Sequence, residues 1–402
     1  MSTSLKIPTR CARIFAEDDP YGAAVPPIYQ TATFRQPSAT ECGEYDYSRT
    51  ANPTRALVER QIAALEGGRF GCAFASGMAA LTAVTRLVRA GEEILAGDDL
   101  YGGTTRLLAK VAPHLGIRVR WVDATDLAAD EQAIGLDTRL LLLESPTIPL
   151  LRFLDLGRLA ALVRRRGVLL AVDNSLLSPV LQQPLALGAH LVVHSATKAL
   201  CGHGDVLAGA VVTDAPELHE RIAFHLNAEG AGLAPFDSWL LLRGMKTLCL
   251  RMERQQATAR QVAAFLIAHP ETCQVFYPGL GPVVSFTTGD PERSRRLVEA
   301  ARLFTIAVSF GSVTSSISLP CRMSHASVPA ELRDRLAPPP DLVRLSIGIE
   351  DPDDLLDDLQ QMLNDLTPSP GLGFNTHDGQ QPDRPFEDLA LTDSGGLAPR
   401  RG

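Results

Sequence analysis

Residues Leu191 to Gly209 read LVVHSATKALCGHGDVLAG and hold the most reactive grouping in the chain. The apolar run predicts a strand that delivers Ser195, Thr197 and Lys198 to the loop at its end. Two hydroxyls flanking a lysine suit a phosphate held beside a reactive amine. Burial and cationic neighbours would keep that amine partly neutral, as a Schiff-base nucleophile requires. An ordinary surface lysine in a Ser/Thr loop explains the segment equally well when it is taken alone. Asp173, in AVDNS, follows another predicted strand, Val168–Val172. An acid at a sheet's carboxyl edge could pair with the ring nitrogen of pyridoxal phosphate and make the ring an electron sink. A helix cap or structural ion pair is the commoner fate of such a residue. Ser76-Gly77-Met78 lies between a predicted strand and a predicted helix, where backbone N–H groups attract phosphate. A plain serine N-cap is the simpler local explanation.

The elements that must position these groups alternate. Strands are expected at Gly71–Ala75, Glu93–Ala96, Ile117–Val122, Arg139–Leu143, Val168–Val172 and Leu191–Val193. Helices are expected at Met78–Val88 and Leu156–Arg166. Near-continuous apolar strands between helices predict a mostly parallel sheet covered on both faces. Ligands in such α/β folds bind beyond the strands' carboxyl ends. A long helical pattern over Trp239–Gln256 leads to a second region with strands at Val283–Thr287, Ile306–Phe310 and Leu342–Ser346. A helix at Asp354–Leu366 closes it. The reading is an extended arm (1–50), a large domain (51–243), a smaller α/β domain (244–366) and a tail (367–402) whose Pro, Gly, Asp and Gln content predicts disorder.

Composition limits the classes. The 402 residues carry 38 Lys+Arg against 46 Asp+Glu, a net charge of −8, which argues against a phosphate-backbone binder. No window holds about 18 uncharged apolar residues, so no transmembrane helix is expected. The first 15 residues lack the apolar core of a signal peptide, which points to the cytoplasm. Seven scattered cysteines with no CxxC fit a reducing compartment.

The ordered motifs PPIYQTATF, YSRTANPTR, ASGMAA, DDLYGGT, VDNS, HSATK, GHGD and LVRLSIGIE resemble the Cys/Met-metabolism branch of the fold-type I pyridoxal-phosphate enzymes. The resemblance covers about residues 20–366. NAEGAGLAPFDSWLLLRGMKTL and SFGSVTSSISLPCRMSHAS look most like the plant-type cystathionine β-lyases. The resemblance implies that Lys198 carries the cofactor and moves protons at Cα. It implies that Asp173 meets the ring nitrogen, that Tyr101 stacks on the ring, and that Gly77, Met78, Ser195 and Thr197 hold the phosphate. Tyr47 and Arg49 would reach the phosphate of the neighbouring subunit, implying a homodimer as catalytic unit and usually a tetramer. Arg344 would grip the amino-acid substrate's carboxylate, in a substrate site shared with Ser315 and Tyr47.

Departures from the pattern bear on substrate. ESPTIPL carries Ile148 where the family has Asn, which removes a hydrogen bond worth about 0.5–1.5 kcal/mol and alters the pocket. Thr314 stands where γ-acting members carry Glu. About 20 family residues are missing after Tyr277-Pro278-Gly279-Leu280. The implied reaction is β-elimination on cystathionine or a related C–S substrate, yielding a thiol, ammonia and pyruvate. The alternative is γ-elimination or γ-replacement on an unusual amino acid. No metal is expected, since His190 and His194 share a predicted strand face without further ligands. Cys201 reads as packing, His203 and Asp205 as loop organisers, and His325 as either a packing residue or a neighbour of the site entrance. The acidic run Glu350–Asp358 reads as a helix N-terminus.

Overall fold

The computed structural model describes residues 5–14, 19–126, 131–326 and 328–365. The tail expected to be disordered, 367–402, lies outside the described residues. Seven strands build the first sheet: β1 Phe70–Phe74, β2 Glu93–Gly97, β3 Arg118–Val122, β4 Thr138–Glu144, β5 Leu169–Asp173, β6 Leu191–His194 and β7 Gly209–Thr213. Their order is β1-β7-β6-β5-β4-β2-β3. The run β6-β5-β4-β2-β3 is parallel, while β7 runs antiparallel to both β6 and β1.

The apolar runs are explained by burial on both faces. Along β4, Leu140 and Leu142 join one core cluster, and Leu141 and Leu143 join the cluster on the opposite face. Each such leucine contributes about 1.5–3 kcal/mol. The helix Leu156–Arg166 covers the second face with Leu156, Leu159, Ala160 and Val163, a helical spacing. Asp155 caps its start and Gly167, at φ 67°, ends it. Asn52 caps the helix Pro53–Glu66, and Ser76 caps Gly77–Thr85.

A second sheet contains β8 Gln274–Phe276, β9 Val283–Thr287, β10 Thr305–Ile306, β11 Ser316–Ser318 and β12 Leu342–Ser346, ordered β10-β11-β12-β9-β8. Helices Leu248–Ala268, Pro291–Glu299 and Pro352–Asn364 share a core with Val284, Phe286, Val343 and Leu345. β8 and β9 form an antiparallel hairpin, and residues 277–282 are all that joins them. The acidic run divides its work. Asp351 caps the last helix, Asp358 accepts the N–H groups of Arg302 and Leu303, and Glu350 binds Ser315.

Two expectations differ from the structure. Ile306–Phe310 does not continue as a strand: only Thr305 and Ile306 pair, with Ser316 and Ile317. The chain then turns inward so that Ser309 and Phe310 meet Lys198. Gly311, at φ 79°, makes this possible, because a Cβ there would lie 2.8 Å from the Ala199 nitrogen. The Trp239–Gln256 pattern is two helices, Pro235–Met245 and Leu248–Ala268. The break comes at Lys246 and Thr247, and the Gly244 carbonyl just before it accepts from Thr247 and from the buried Arg251 guanidinium.

Candidate active site

Parallel strands β4, β5 and β6 end side by side, and Glu144, Asp173 and Ser195 at their ends open onto one cavity of about 150 Å³. Lys198, Asp173, Ser195, Thr197 and Tyr101 line it, and so do Gly77, Met78, Ile148 and Arg344. The lysine follows β6 through a turn closed by its own N–H on the Ser195 carbonyl. Its Nζ donates to Ser309 Oγ at 2.8 Å and lies 5.1 Å from the centre of the Phe310 ring. Burial, and then the nearby Arg344 charge, push the ammonium down from 10.5 to about 8, against the pull of Asp173. The neutral amine a nucleophile needs is therefore reached at lower pH than in an ordinary lysine.

Asp173 is the last residue of β5 and accepts the Ser175 N–H at 2.9 Å. Burial raises its carboxyl, while hydrogen bonds from Ser175 and the charges of His194 and Lys198 oppose that rise. Glu144 stands beside it in the β4–β5 register. One Glu144 oxygen accepts the Tyr101 N–H at 2.9 Å, and the other has no partner among the described residues. Burial first, then Asp173, raise Glu144 well above the ordinary carboxylate range. Glu144 has the negative charges of Asp173 and Asp99 near it, whereas Asp173 has His194 and Lys198, so Glu144 holds a proton more tightly and Asp173 keeps the acceptor role at the cavity.

The opposite wall is cationic. Arg344, on β12, is 2% exposed, and its Nη2 donates to the carbonyls of Val308 and Ser309. Its Nε has no partner among the described residues. Burial lowers it to about 10. A buried guanidinium satisfied on one side by carbonyls alone is built for an incoming carboxylate.

At the floor, Ser76 accepts the Ala79 N–H at 3.1 Å. The first-turn N–H groups of Gly77 and Met78 have no intrahelical acceptor. A Cβ on Gly77 would lie 2.8 Å from the Ser195 Cβ, so the helix start and the β6 loop approach as closely as only glycine permits. Ser195 N–H donates to Ser175 Oγ at 2.6 Å, and Thr197 Oγ1 is bound to the Ala208 backbone. Ile148 forms an apolar wall with Leu176, Leu177, Val283 and Phe310.

Six residues named from the sequence lie outside the cavity lining. Arg49 sits 5.1 Å over the Tyr47 ring and donates to Asn227, and neither Tyr47 nor Arg49 lines this chain's own cavity. Ser315 is buried and bound to Glu350, and Thr314 is exposed beside Ser312. His325 is buried and lowered to about 4, with Nε2 on the Leu100 carbonyl. Cys201 packs in the core, with its thiol raised to about 11. Sequence reading missed Glu144, Ser309 and Phe310. The strand-end rule that marked Asp173 points equally to Glu144. Ser309 and Phe310 fall in the stretch whose apolar pattern predicts a strand, which gives no signal of a site.

Observations of the chain itself fit pyridoxal phosphate. They are a lysine with a lowered ammonium for its carbonyl, an acid for its ring nitrogen, a capped helix start between two hydroxyl residues for its phosphate, and an Arg344 Nε without a partner among the described residues for a substrate. An α/β sheet with these groups at its carboxyl edge is that of a fold-type I pyridoxal-phosphate enzyme. The profile of the Cys/Met metabolism PLP-dependent enzymes matches residues 9–364, and the chain belongs to that family. Pyridoxal phosphate is its cofactor. The chain is 50% identical over 357 residues to chloroplastic cystathionine beta-lyase of Arabidopsis thaliana, covering 85% of this chain and 77% of the relative. It is 46% identical to cystathionine gamma-lyase of Bacillus subtilis, covering 87% and 96%. The crystal structure of cystathionine gamma-lyase from Lactobacillus plantarum complexed with L-serine superposes with a TM-score of 0.87 at 41% identity, covering 90% and 99%. No described helix is long and apolar enough to cross a membrane.

Proposed function

We propose that this enzyme is a carbon–sulfur lyase that cleaves cystathionine by β-elimination, releasing a thiol, ammonia and pyruvate. The observation that carries the reading is the facing pair of Lys198, an amine lowered to about 8, and Arg344, a buried guanidinium whose Nε has no partner among the described residues. Similarity to the β-lyase of Arabidopsis thaliana favours cystathionine among C–S substrates. When bound, pyridoxal phosphate supplies a sink for the electron pair left at the substrate's Cα. Arg344 binds and orients the substrate carboxylate. Lys198 takes the Cα proton as its neutral amine and returns a proton as its ammonium. Asp173 holds a proton on the ring nitrogen, and the N–H groups of Gly77 and Met78, with Ser195 and Thr197, bind phosphate. Tyr101, which lines the cavity, would stack on the ring.

Tyr47 and Arg49 act, in this proposal, on the phosphate of a neighbouring subunit, so the catalytic unit is a homodimer and the full assembly a tetramer. The enzyme works in the cytoplasm. The apolar wall at Ile148 favours a second reading, γ-elimination or γ-replacement on an amino acid with an apolar or halogenated side chain. A panel of amino acids with keto-acid analysis separates them. Pyruvate from cystathionine is the expected result. Inert sulfur amino acids beside turnover of a γ-substituted one would replace the first reading with the second. Ile148→Asn is expected to raise activity on cystathionine, and no gain would remove Ile148 as a selector.

A further inference from the structure

Away from the cavity, two thiols distant in sequence come together. Cys11 lies on the helix Ile7–Ala12, and Cys249 opens the helix Leu248–Ala268. Their sulfurs are 3.7 Å apart although 238 residues separate them. The two are unequal. Cys11 is 1% exposed, whereas Cys249 is half-buried and lines an open groove of about 670 Å³ with Lys6, Arg10 and Gln256. Hydrogen bonding to Cys11 holds the Cys249 thiol below its ordinary value, and the Arg251 charge adds to this. The same pairing, with burial, holds Cys11 far above it. An accessible thiol biased toward thiolate beside a shielded one is the arrangement of an attacking and a resolving cysteine.

We propose that Cys11 and Cys249 are an oxidative modification site, forming a reversible disulfide in response to a small hydroperoxide that enters through the groove. The Cys249 thiolate attacks one peroxide oxygen, the O–O bond breaks, and the departing oxygen takes up a proton. Cys249 is then a sulfenic acid. The Cys11 sulfur attacks the Cys249 sulfur, the S–O bond breaks, and hydroxide leaves with the Cys11 proton as water. For hydrogen peroxide the balance is two thiols oxidised to one disulfide and the peroxide reduced to two waters. A thiol reductant reverses it. Forming the bond requires the sulfurs to close to about 2.05 Å. The result is a covalent tie between the amino-terminal helix and the long helix of the second sheet. At present Arg10 to the Ala64 carbonyl and Gln61 to the Arg10 carbonyl anchor that first helix to Pro53–Glu66.

The test treats the holoenzyme with a few equivalents of hydrogen peroxide, followed by alkylation, proteolysis and mass spectrometry. The expected major product is a peptide joining Cys11 to Cys249, lighter by two hydrogens than its two parts and separated by dithiothreitol. The thermal unfolding midpoint should rise on oxidation and return on reduction. Cys11→Ser should give no link, no peroxide-dependent shift, and a sulfenic acid on Cys249 that a 1,3-dione captures. Cys11 and Cys249 recovered as free thiols, at peroxide levels that oxidise the exposed Cys42 or Cys273, would overturn the proposal. A sulfenic acid captured on Cys11 in Cys249→Ser, with none on Cys249 in Cys11→Ser, would overturn the assigned order of attack.

Discussion

The Lys198 amine lies between two opposing charges, Arg344 and Asp173, in a site that burial has dried, and burial outweighs both. Uptake of pyridoxal phosphate by the apoenzyme, followed by its visible absorption, should therefore accelerate through a midpoint near pH 8. Arg344→Leu should move that midpoint upward, because it removes the like charge. The same substitution should cut kcat/KM by about 10- to 200-fold, the loss of a hydrogen bond to a charged group worth about 1.5–3 kcal/mol. Lys198 releases its proton earlier in the folded chain than in the unfolded one, where 10.5 is ordinary. Its contribution to apoenzyme stability thus rises with pH from about 8 to 10.5 and is absent as a pH effect below that window. Glu144 provides a contrast. Glu144→Gln keeps an acceptor for the Tyr101 N–H and should leave stability within about 1 kcal/mol. Glu144→Ala strands that N–H and should cost about 1–3 kcal/mol in denaturant unfolding. Asp173 was legible from its place after an apolar run. Ser309 was not, because its role arises from a chain reversal at Gly311 that local patterning does not encode.

Elements position these groups through their ends. The helix Gly77–Thr85 contributes its first turn to the site, and Ser76 both caps it and lines the cavity. Ser76→Ala should cost about 0.5–2 kcal/mol in unfolding and weaken cofactor retention on dialysis. Gly77→Ala should weaken retention more strongly, since its Cβ would press on Ser195. Helices with a cap, an apolar stripe and a terminal glycine could be read from the sequence, and Leu156–Arg166 has the bounds its spacing predicts. The divided helix after Trp239 could not, because its break depends on Arg251 reaching back to the Gly244 carbonyl. Strand β7 was also passed over. It carries few local marks, and its burial comes from lying between β1 and β6.

For the whole molecule, Tyr47 and Arg49 carry the proposal of a shared site, because neither lines the cavity of its own chain. If neighbouring subunits share sites, mixing inactive Lys198→Ala with inactive Arg49→Ala under conditions of subunit exchange should restore activity, and light scattering should report the dimer or tetramer. Activity that stays lost after demonstrated exchange would place Arg49 outside the site. This level was the least legible in the sequence, since a partner's contribution leaves no periodicity and was suggested only by motif resemblance. The six-residue link of the β8–β9 hairpin acts at the same level. Leu280 rests on the cluster containing Ile148, and Gly281 fits closely over Leu176 and Leu177. The link is therefore a rear stop for the substrate pocket: lengthening or shortening it would change how far the apolar wall can retreat. Changing the length of this half-buried link should therefore shift substrate preference while leaving cofactor uptake unchanged, which keto-acid analysis beside visible absorption would check.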